Sequence, residues 1–513
     1  MSLFPAGAGT ASFDASVARA ARRPLVNSRT NRKCVLVRVL LMGGRRTPAS
    51  TALSMRALFQ PLVAASLSLA LDRTALAEPM PQADRYSFFM HGETHAELFQ
   101  RALLPGSYGA IVADETTLPV YQYVLLEARD QNIARQQTGL DMELAAWSRA
   151  ELGSTTAEAP LDGDVQTANI GYHHGPLLLR LGRQHVAGGA ARYARFDGLL
   201  LDADLGQGFE GRAYAGFTVL PRWNQHASYT YLGAAADSDL KNPAVSAGTR
   251  ERSDYWLGGA RLGWSMRDLR AGLSFHEQHE SGGLSRRTLT LDETMELSGS
   301  ISAGASGSAE LEAERISEAR VWVDAAATRK LDLSFEWLHT EPALFLSRQS
   351  VLSVFSADDY DEGGTRAALR ASDRISLEGG AWLELYSGSR PGARSELALR
   401  VIADRAGSTS VRLAYARVLT PDNGYHSLRS SLTRRLMTRL SGTLEAYAYL
   451  YDQAIHSYRT SSVYSGTLEY RPASAVSLLW GASLVRSPYA SLDAQTELRV
   501  AYDFDFATVR GAP

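Results

Sequence analysis

Cysteine and lysine are almost absent from this sequence. The single cysteine is Cys34, and lysine occurs only at Lys33, Lys241 and Lys330. Beyond Cys34 the chain offers no disulfide, no thiolate metal site and no cysteine nucleophile. After Ala77 there is also no apolar run of about 20 residues, so the sequence predicts no transmembrane helix.

Motifs that mark cofactor or metal sites are also missing. The chain contains no Walker A loop, Rossmann fingerprint or EF-hand loop. His173 and His174 are adjacent, so in a strand they point to opposite faces, and His276 and His279 diverge in the same way. The acidic run at residues 358–362 could bind calcium loosely at a loop, but such a run is more often a solvated face, and we interpret it so. The sequence therefore predicts no catalytic residue, no cofactor and no metal ion.

An export signal precedes the main part of the chain. Arg56 is a short positive region, residues 57–71 are apolar, and Ala75 and Ala77 form a small-residue cleavage site. This order is typical of a secretory signal peptide, which we place at residues 55–77.

The residues on either side of this signal differ in charge. Residues 1–54 hold nine basic side chains and one acid. We expect translation to begin at Met55, which makes residues 1–54 a non-native or disordered extension. A mature chain that begins at Glu78 keeps 42 basic and 53 acidic side chains. Such an acidic exported chain is not suited to bind nucleic acid.

The clearest structural pattern lies at residues 253–266. Side chains alternate between the two faces of a strand, so here one face is apolar or small and the other is mostly polar. Trp256 and Trp264 stand near the two ends of the apolar face. Eight residues in a tilted strand span roughly 20 Å, close to the separation of the aromatic girdles on a membrane barrel.

This alternation recurs to the end of the chain. It predicts an all-β fold, an antiparallel transmembrane β-barrel of roughly 18–20 strands within residues 119–507, because strands in lipid must close into a barrel. A soluble β-propeller or sandwich array is the alternative fold, but no blade motif repeats every 40–50 residues or so. Residues 78–118 are less regular, and we expect a periplasmic leader or a plug there. The sequence gives no account of the apolar side chains within residues 342–364.

Two features resemble known membrane barrels. The final predicted strand contains Tyr502, Phe504 and Phe506, and it resembles the aromatic last strand of bacterial outer-membrane porins. That resemblance implies an outer-membrane location and recognition by the barrel assembly machinery, although seven residues follow Phe506 here. Residues 179–184 and 192–198 resemble the Gly-Arg-Gln strand of porin-like polysaccharide-export barrels, which favours sugar-like solutes.

The alternation also assigns candidate side chains to each face. The predicted pore-lining residues are Arg180, Arg261, Glu378, Glu384, Arg400, Glu445, Tyr447, Tyr449, Glu469, Arg499 and Asp503. The predicted lipid-girdle residues are Trp256, Trp264, Trp480, Tyr502, Phe504 and Phe506. Charged residues of both signs would set a field across a wet pore. Each charged residue could instead belong to an ordinary cross-strand ion pair, which contributes little to stability.

These patterns favour one function over two others. We expect an outer-membrane channel for small or sugar-like solutes, not an enzyme, with outer-membrane lipid as its surroundings. The first alternative is a plugged structural or adhesive barrel. The second is an outer-membrane lipid hydrolase, although no Ser–His pair is selected by the sequence. The pattern predicts neither a particular solute nor a direction of transport nor an oligomeric state.

Overall fold

The computed structural model describes residues 86–103, 114–130, 138–152, 161–219, 255–280, 283–345, 359–388, 390–421, 423–455, 457–488 and 490–505. The predicted extension at residues 1–54, the predicted signal peptide at residues 55–77 and Phe506 lie outside these ranges.

The described chain is almost entirely β-strand, with short 3-10 turns at Gly189–Ala191 and Pro342–Phe345. The strands are β1 (Tyr86–Leu103), β2 (Asp114–Thr117), β3 (Pro119–Asp130), β4 (Thr138–Glu151), β5 (Leu161–His174), β6 (Leu177–Gly188), β7 (Arg192–Gly206), β8 (Phe209–Thr218), β9 (Trp256–Ser265), β10 (Leu269–Glu280), β11 (Gly283–Ser298), β12 (Ile301–Glu310), β13 (Arg315–Thr328), β14 (Leu331–Thr340), β15 (Tyr360–Ser372), β16 (Ile375–Tyr386), β17 (Gly392–Ile402), β18 (Thr409–Leu419), β19 (Gly424–Met437), β20 (Leu440–Ile455), β21 (Tyr458–Ala473), β22 (Val476–Arg486) and β23 (Ala490–Asp505).

These strands form one closed antiparallel sheet. Each strand from β3 onward pairs with the next, and β1 pairs with both β3 and β23. The short β2 pairs with β1 just beyond the point where the β1–β3 ladder ends, so β2 and β3 share one position. The result is a barrel of 22 strands, which confirms the predicted fold class. Its strand number is higher than the roughly 18–20 expected from the alternation.

The interpretation of residues 78–118 as a leader or plug is wrong for the part that the structure describes. Tyr86–Leu103 is the strand that closes the barrel, and its ladder with β23 runs from Phe89↔Asp505 to Leu103↔Ala490. The reason is visible in its alternation, because apolar Phe88 and Leu98 lie on one face and His91, Glu93 and Glu97 lie on the other.

The two faces of the barrel wall differ in chemistry. One face carries large apolar side chains that are well exposed, among them Leu181 at 64%, Leu444 at 62% and Tyr464 at 58%. The opposite face carries most of the charged side chains and ion pairs. Apolar groups that no protein atoms cover match a lipid environment, so we assign the first face to the outside and the second to the lumen.

Aromatic side chains collect near both ends of the outer face. One end carries Phe217, Trp256, Trp337, Tyr415 and Tyr464. The other end carries Phe209, Trp264, Tyr470, Tyr502 and Phe504. Trp480 lies between them on the outer face and is 49% exposed. Two such girdles are the arrangement expected where a barrel meets the two membrane surfaces.

The lengths of the connections distinguish the two ends. At one end most neighbouring strands are joined by two residues, as at 207–208, 299–300 and 438–439. At the other end the connections include residues 219–255 and 341–359. In outer-membrane barrels the short turns face the periplasm and the long loops face outward. We call these the periplasmic end and the external end.

One hairpin leaves the cylindrical wall. The β5–β6 ladder ends at Ala168↔Arg183, whereas the β6–β7 ladder continues to Gly188↔Arg192. The tip of this hairpin lies on the inner face of β10, where the amide N–H of Ala190 donates to Oγ of Ser274 at 2.8 Å. The hairpin residues Phe196 and Val186 pack with the wall residues Tyr214 and Leu257 in a buried cluster. This hairpin therefore occupies part of the lumen near the external end.

A pair of glycines allows the wall to bend beneath the hairpin. Gly198 and Gly216 face each other across β7 and β8 on the inner face. A Cβ atom on Gly198 would lie 2.1 Å from the carbonyl oxygen of Ala215, and one on Gly216 would lie 2.8 Å from Cα of Gly198. The contacts are with backbone, which cannot rotate away. Inner-face side chains converge where a sheet curves sharply. At this pair a Cβ atom would collide with the backbone of the facing strand, so only glycine fits.

We predict that Gly198→Ala destabilises the barrel by about 1–3 kcal/mol, the usual cost of overpacking a close contact. The free energy of unfolding in guanidinium chloride measures this in detergent micelles. Gly307→Ala is the matched control, because a Cβ atom at Gly307 in β12 meets nothing within 4 Å. Equal effects of the two substitutions would contradict the role of the glycine pair.

Candidate functional site

The candidate site is the inner wall of the barrel. Strand register places all of the predicted pore-lining residues on this face: Arg180, Arg261, Glu378, Glu384, Arg400, Glu445, Tyr447, Tyr449, Glu469, Arg499 and Asp503. The five girdle candidates that the structure describes lie on the outer face: Trp256, Trp264, Trp480, Tyr502 and Phe504. The described pore-lining candidates and girdle candidates therefore lie on opposite faces of the wall, as the alternation predicts.

Many charged residues on the inner wall form ion pairs, several of them with a residue one or two strands away. Arg261 holds Asp292 through two hydrogen bonds of 2.6 and 2.7 Å. Arg429 contacts Glu445 at 3.1 Å. Both charges of such a pair point into the lumen and largely cancel each other, so the pair adds little net charge to the pore.

Two arginines share one carboxylate near the periplasmic end. Arg366 and Arg412 both lie 3.5 Å from Glu378. Arg400 is the cross-strand neighbour of Arg412 and Ser376, is exposed, and makes no ion pair with any described residue. The wall formed by β15–β18 therefore carries an excess of positive charge at this end.

An arc of aromatic side chains covers the external half of the wall from β15 to β20. Its members are Tyr360, Trp382, Tyr386, Tyr425, Tyr447, Tyr449 and Tyr451. All of them are partly exposed. The ring centroids of Tyr360 and Tyr386 are 5.4 Å apart, and those of Tyr425 and Tyr449 are 5.8 Å apart. We call this group the aromatic arc.

Charged groups lie among the rings of the aromatic arc. The guanidinium of Arg394 sits 4.4 Å from the centre of the Trp382 ring and 3.3 Å from Glu362. The hydroxyl of Tyr386 donates to Glu384 at 2.6 Å. The guanidinium of Arg429 covers the Tyr447 ring at 4.6 Å. Flat apolar surfaces and fixed hydrogen-bonding groups thus alternate along the arc.

The external mouth above the arc carries a carboxylate. Asp359 directly precedes β15, and the hydroxyl of Ser387 donates to it. This hydrogen bond lowers the pKa of the Asp359 carboxyl below its ordinary value. Asp359 is therefore ionised at neutral pH.

Sequence reasoning missed the inner face of β1. His91 contacts Asp503 at 2.7 Å, and His95 lies 2.9 Å from Glu97 and 3.3 Å from Glu497. Together with Glu93, which lies 3.7 Å from Arg499, these residues make the wall at the β1–β23 seam rich in carboxylates. The alternation of residues 86–98 could have revealed them. The irregular pattern of residues 78–118 as a whole favoured a leader or plug instead.

The rings of the arc outside β20 were also missed. Trp382, Tyr386 and Tyr360 are not among the predicted pore-lining residues. Their contacts with one another depend on the register of neighbouring strands, which the sequence does not specify.

Helices and metal clusters play no visible part in this wall. In the ranges that the structure describes, no helix is long and apolar enough to cross a bilayer. The same ranges bring together no group of three or more His, Cys, Asp or Glu side chains able to hold a metal ion.

Comparison with known proteins finds similarity of fold only. No protein-family model and no curated protein matches the chain. The P pilus usher PapC translocation pore overlaps with a TM-score of 0.42 and 8% identity, over 81% of this chain and 99% of that one. OccAB3 of Acinetobacter baumannii overlaps with a TM-score of 0.38 and 8% identity, over 82% of this chain and 99% of that one. OccK2 (OpdF) of Pseudomonas aeruginosa in complex with glucuronate overlaps with a TM-score of 0.38 and 12% identity, over 82% of this chain and 98% of that one.

We predict that Arg400→Gln makes the pore more cation-selective, because it removes an unpaired positive charge from the inner wall. The reversal potential in a salt gradient across a planar bilayer measures this shift. Arg434→Gln is the matched control, since Arg434 is an exposed arginine on the outer face of the same end. A shift of the same size in both variants would show that Arg400 does not face the conducting path.

Proposed function

We propose that the protein is an outer-membrane channel for small polar solutes. The observation that carries this proposal is the closed 22-strand barrel with an apolar, exposed outer face and a charged inner face. Every backbone group of a closed ladder is paired, so the wall can lie in lipid, and the polar inner face can line a water-filled path.

The dimensions of the barrel support a wide lumen. Strands about 4.8 Å apart and tilted by about 40° give a 22-strand circular barrel a diameter of roughly 45 Å. Side chains alone do not fill such a space. The inward β6–β7 hairpin narrows it, and the solute path runs beside that hairpin along β12–β23 and β1.

The aromatic arc favours sugar-like solutes. A pyranose ring presents C–H groups on its faces and hydroxyl groups on its edge. Tyrosine and tryptophan rings offer apolar surfaces for the faces, while Glu362, Glu384 and Arg394 offer hydrogen bonds for the edge. Rings at several heights along one wall let a solute pass from one to the next. The local resemblance of residues 179–184 to polysaccharide-export barrels agrees with this solute class.

We predict stable single-channel steps when the chain from residue 78 onward is refolded and inserted in a planar bilayer. The polar inner wall and the roughly 45 Å diameter lead to this expectation. A folded barrel that inserts but conducts no ions would contradict an open channel. That outcome would favour a plugged structural barrel, with the β6–β7 hairpin as part of the plug.

We also predict that Tyr449→Ala weakens block of the channel current by a linear oligosaccharide by roughly 3–10-fold, since one aromatic contact contributes on the order of 1 kcal/mol. Current fluctuations at increasing sugar concentration give the binding constant. Tyr464→Ala is the matched control, because Tyr464 lies on the outer face of the adjacent β21 and is 58% exposed. Equal sugar affinity in both variants and in the unaltered protein would exclude the arc as a sugar path.

A further inference from the structure

A groove on the outer face of the barrel has no part in the channel. It lies at the external end of β18–β22 and encloses about 430 Å³. One register row crosses it, from Tyr415 through Leu428, Ala448 and Ser462 to Arg486. The small side chains of Ala448 and Ser462 in the middle of this row form its depression.

The floor of the groove is apolar. Leu428 is 54% exposed and Leu450 is 50% exposed, and both line it. Directly toward the periplasmic end, the next outward row contains Ala446, Tyr464 and Leu484. The groove thus opens onto the part of the outer face that matches the acyl chains of the membrane.

The external edge of the groove is polar and positively charged. Arg486 closes one side, is exposed, and forms no ion pair with the described residues. On the other side Tyr415 and His426 are joined by a hydrogen bond of 2.7 Å between the hydroxyl and Nδ1.

Among the described residues, the carboxylate of Asp452 lies beside this edge and is already paired. Arg417 holds Asp452 through two hydrogen bonds of 2.9 and 2.6 Å. Arg459 donates to the backbone carbonyl of Asp452 and makes no ion pair with any described carboxylate. Among the described residues, Arg486 therefore leaves an unpaired positive charge at the external edge of the groove.

We propose that this groove binds a phosphorylated glycolipid of the external membrane leaflet, of the lipid A type. Guanidinium groups are suited to phosphate because they donate several hydrogen bonds from one plane. An acyl chain on the apolar floor places its phosphate beside Arg486. The length of the connecting loops places this edge at the external surface, where such glycolipids reside. The inference rests on the proposed membrane location and is independent of the solute.

The test measures lipid retained by the purified full-length barrel in detergent micelles. Native mass spectrometry counts bound bisphosphorylated lipid A, its dephosphorylated form and phosphatidylglycerol, each added separately. We expect bisphosphorylated lipid A to bind with an affinity about tenfold higher than dephosphorylated lipid A or phosphatidylglycerol. A tenfold difference is the size expected when a ligand makes one charge-assisted hydrogen bond fewer. Equal binding of dephosphorylated lipid A or of phosphatidylglycerol by the unaltered protein would overturn the proposal without the use of any variant.

Two variants then locate the site. Arg486→Gln removes the free charge, and Ala448→Phe fills the depression without a change of charge. Both should lower lipid A affinity about tenfold and leave single-channel conductance unchanged. Arg434→Gln, on the outer face at the periplasmic end, should leave the affinity unaltered. A loss in Arg434→Gln as large as that in Arg486→Gln would mean non-specific attraction and would overturn the assigned site. Failure of conductance alone would affect the channel proposal and not this one.

Discussion

The hydrogen-bonded seam between β1 and β23 is the constraint on which the rest of the structure depends. Without it the sheet would expose two edges whose N–H and C=O groups have no partners, and lipid offers none. The seam is long, because its ladder runs from Phe89↔Asp505 to Leu103↔Ala490. Closure joins the first and last strands, so both termini of the barrel lie at the periplasmic end.

Closure also divides the side chains between two environments, the lipid outside the barrel and the water in its lumen. On the outer face leucine and aromatic residues stay exposed, whereas on the inner face charged residues pair across strands. Such pairing keeps the field inside the lumen local. Positions that lack a partner among the described residues, such as Arg400, or that share one, such as Arg366 and Arg412 on Glu378, then have the larger influence on passing ions. The aromatic arc adds apolar surface on the same wall, which gives the wall affinity for flat solutes as well as for charge.

A wide barrel needs a means of narrowing its lumen. Here the β6–β7 hairpin bends inward, and Gly198 and Gly216 permit the close approach of β7 and β8 that this bend requires. The buried contacts of Phe196 with Tyr214 then hold the hairpin on the wall. The same departure from a cylinder does not occur on the side of the aromatic arc, where the register shifts in the ladders from β14 to β20 lie beside the short periplasmic turns.

Alternation along the sequence was enough to predict the barrel, its two faces and the face on which each described candidate residue lies. Period-two alternation is a local property, so residues such as Tyr449 and Trp256 could be assigned without any knowledge of their neighbours. It did not determine the strand number, the role of Tyr86–Leu103 or the inward hairpin, because these depend on which distant strands pair. Only the tertiary structure brought Arg486 to the same groove as Tyr415, since register across five strands is a non-local property.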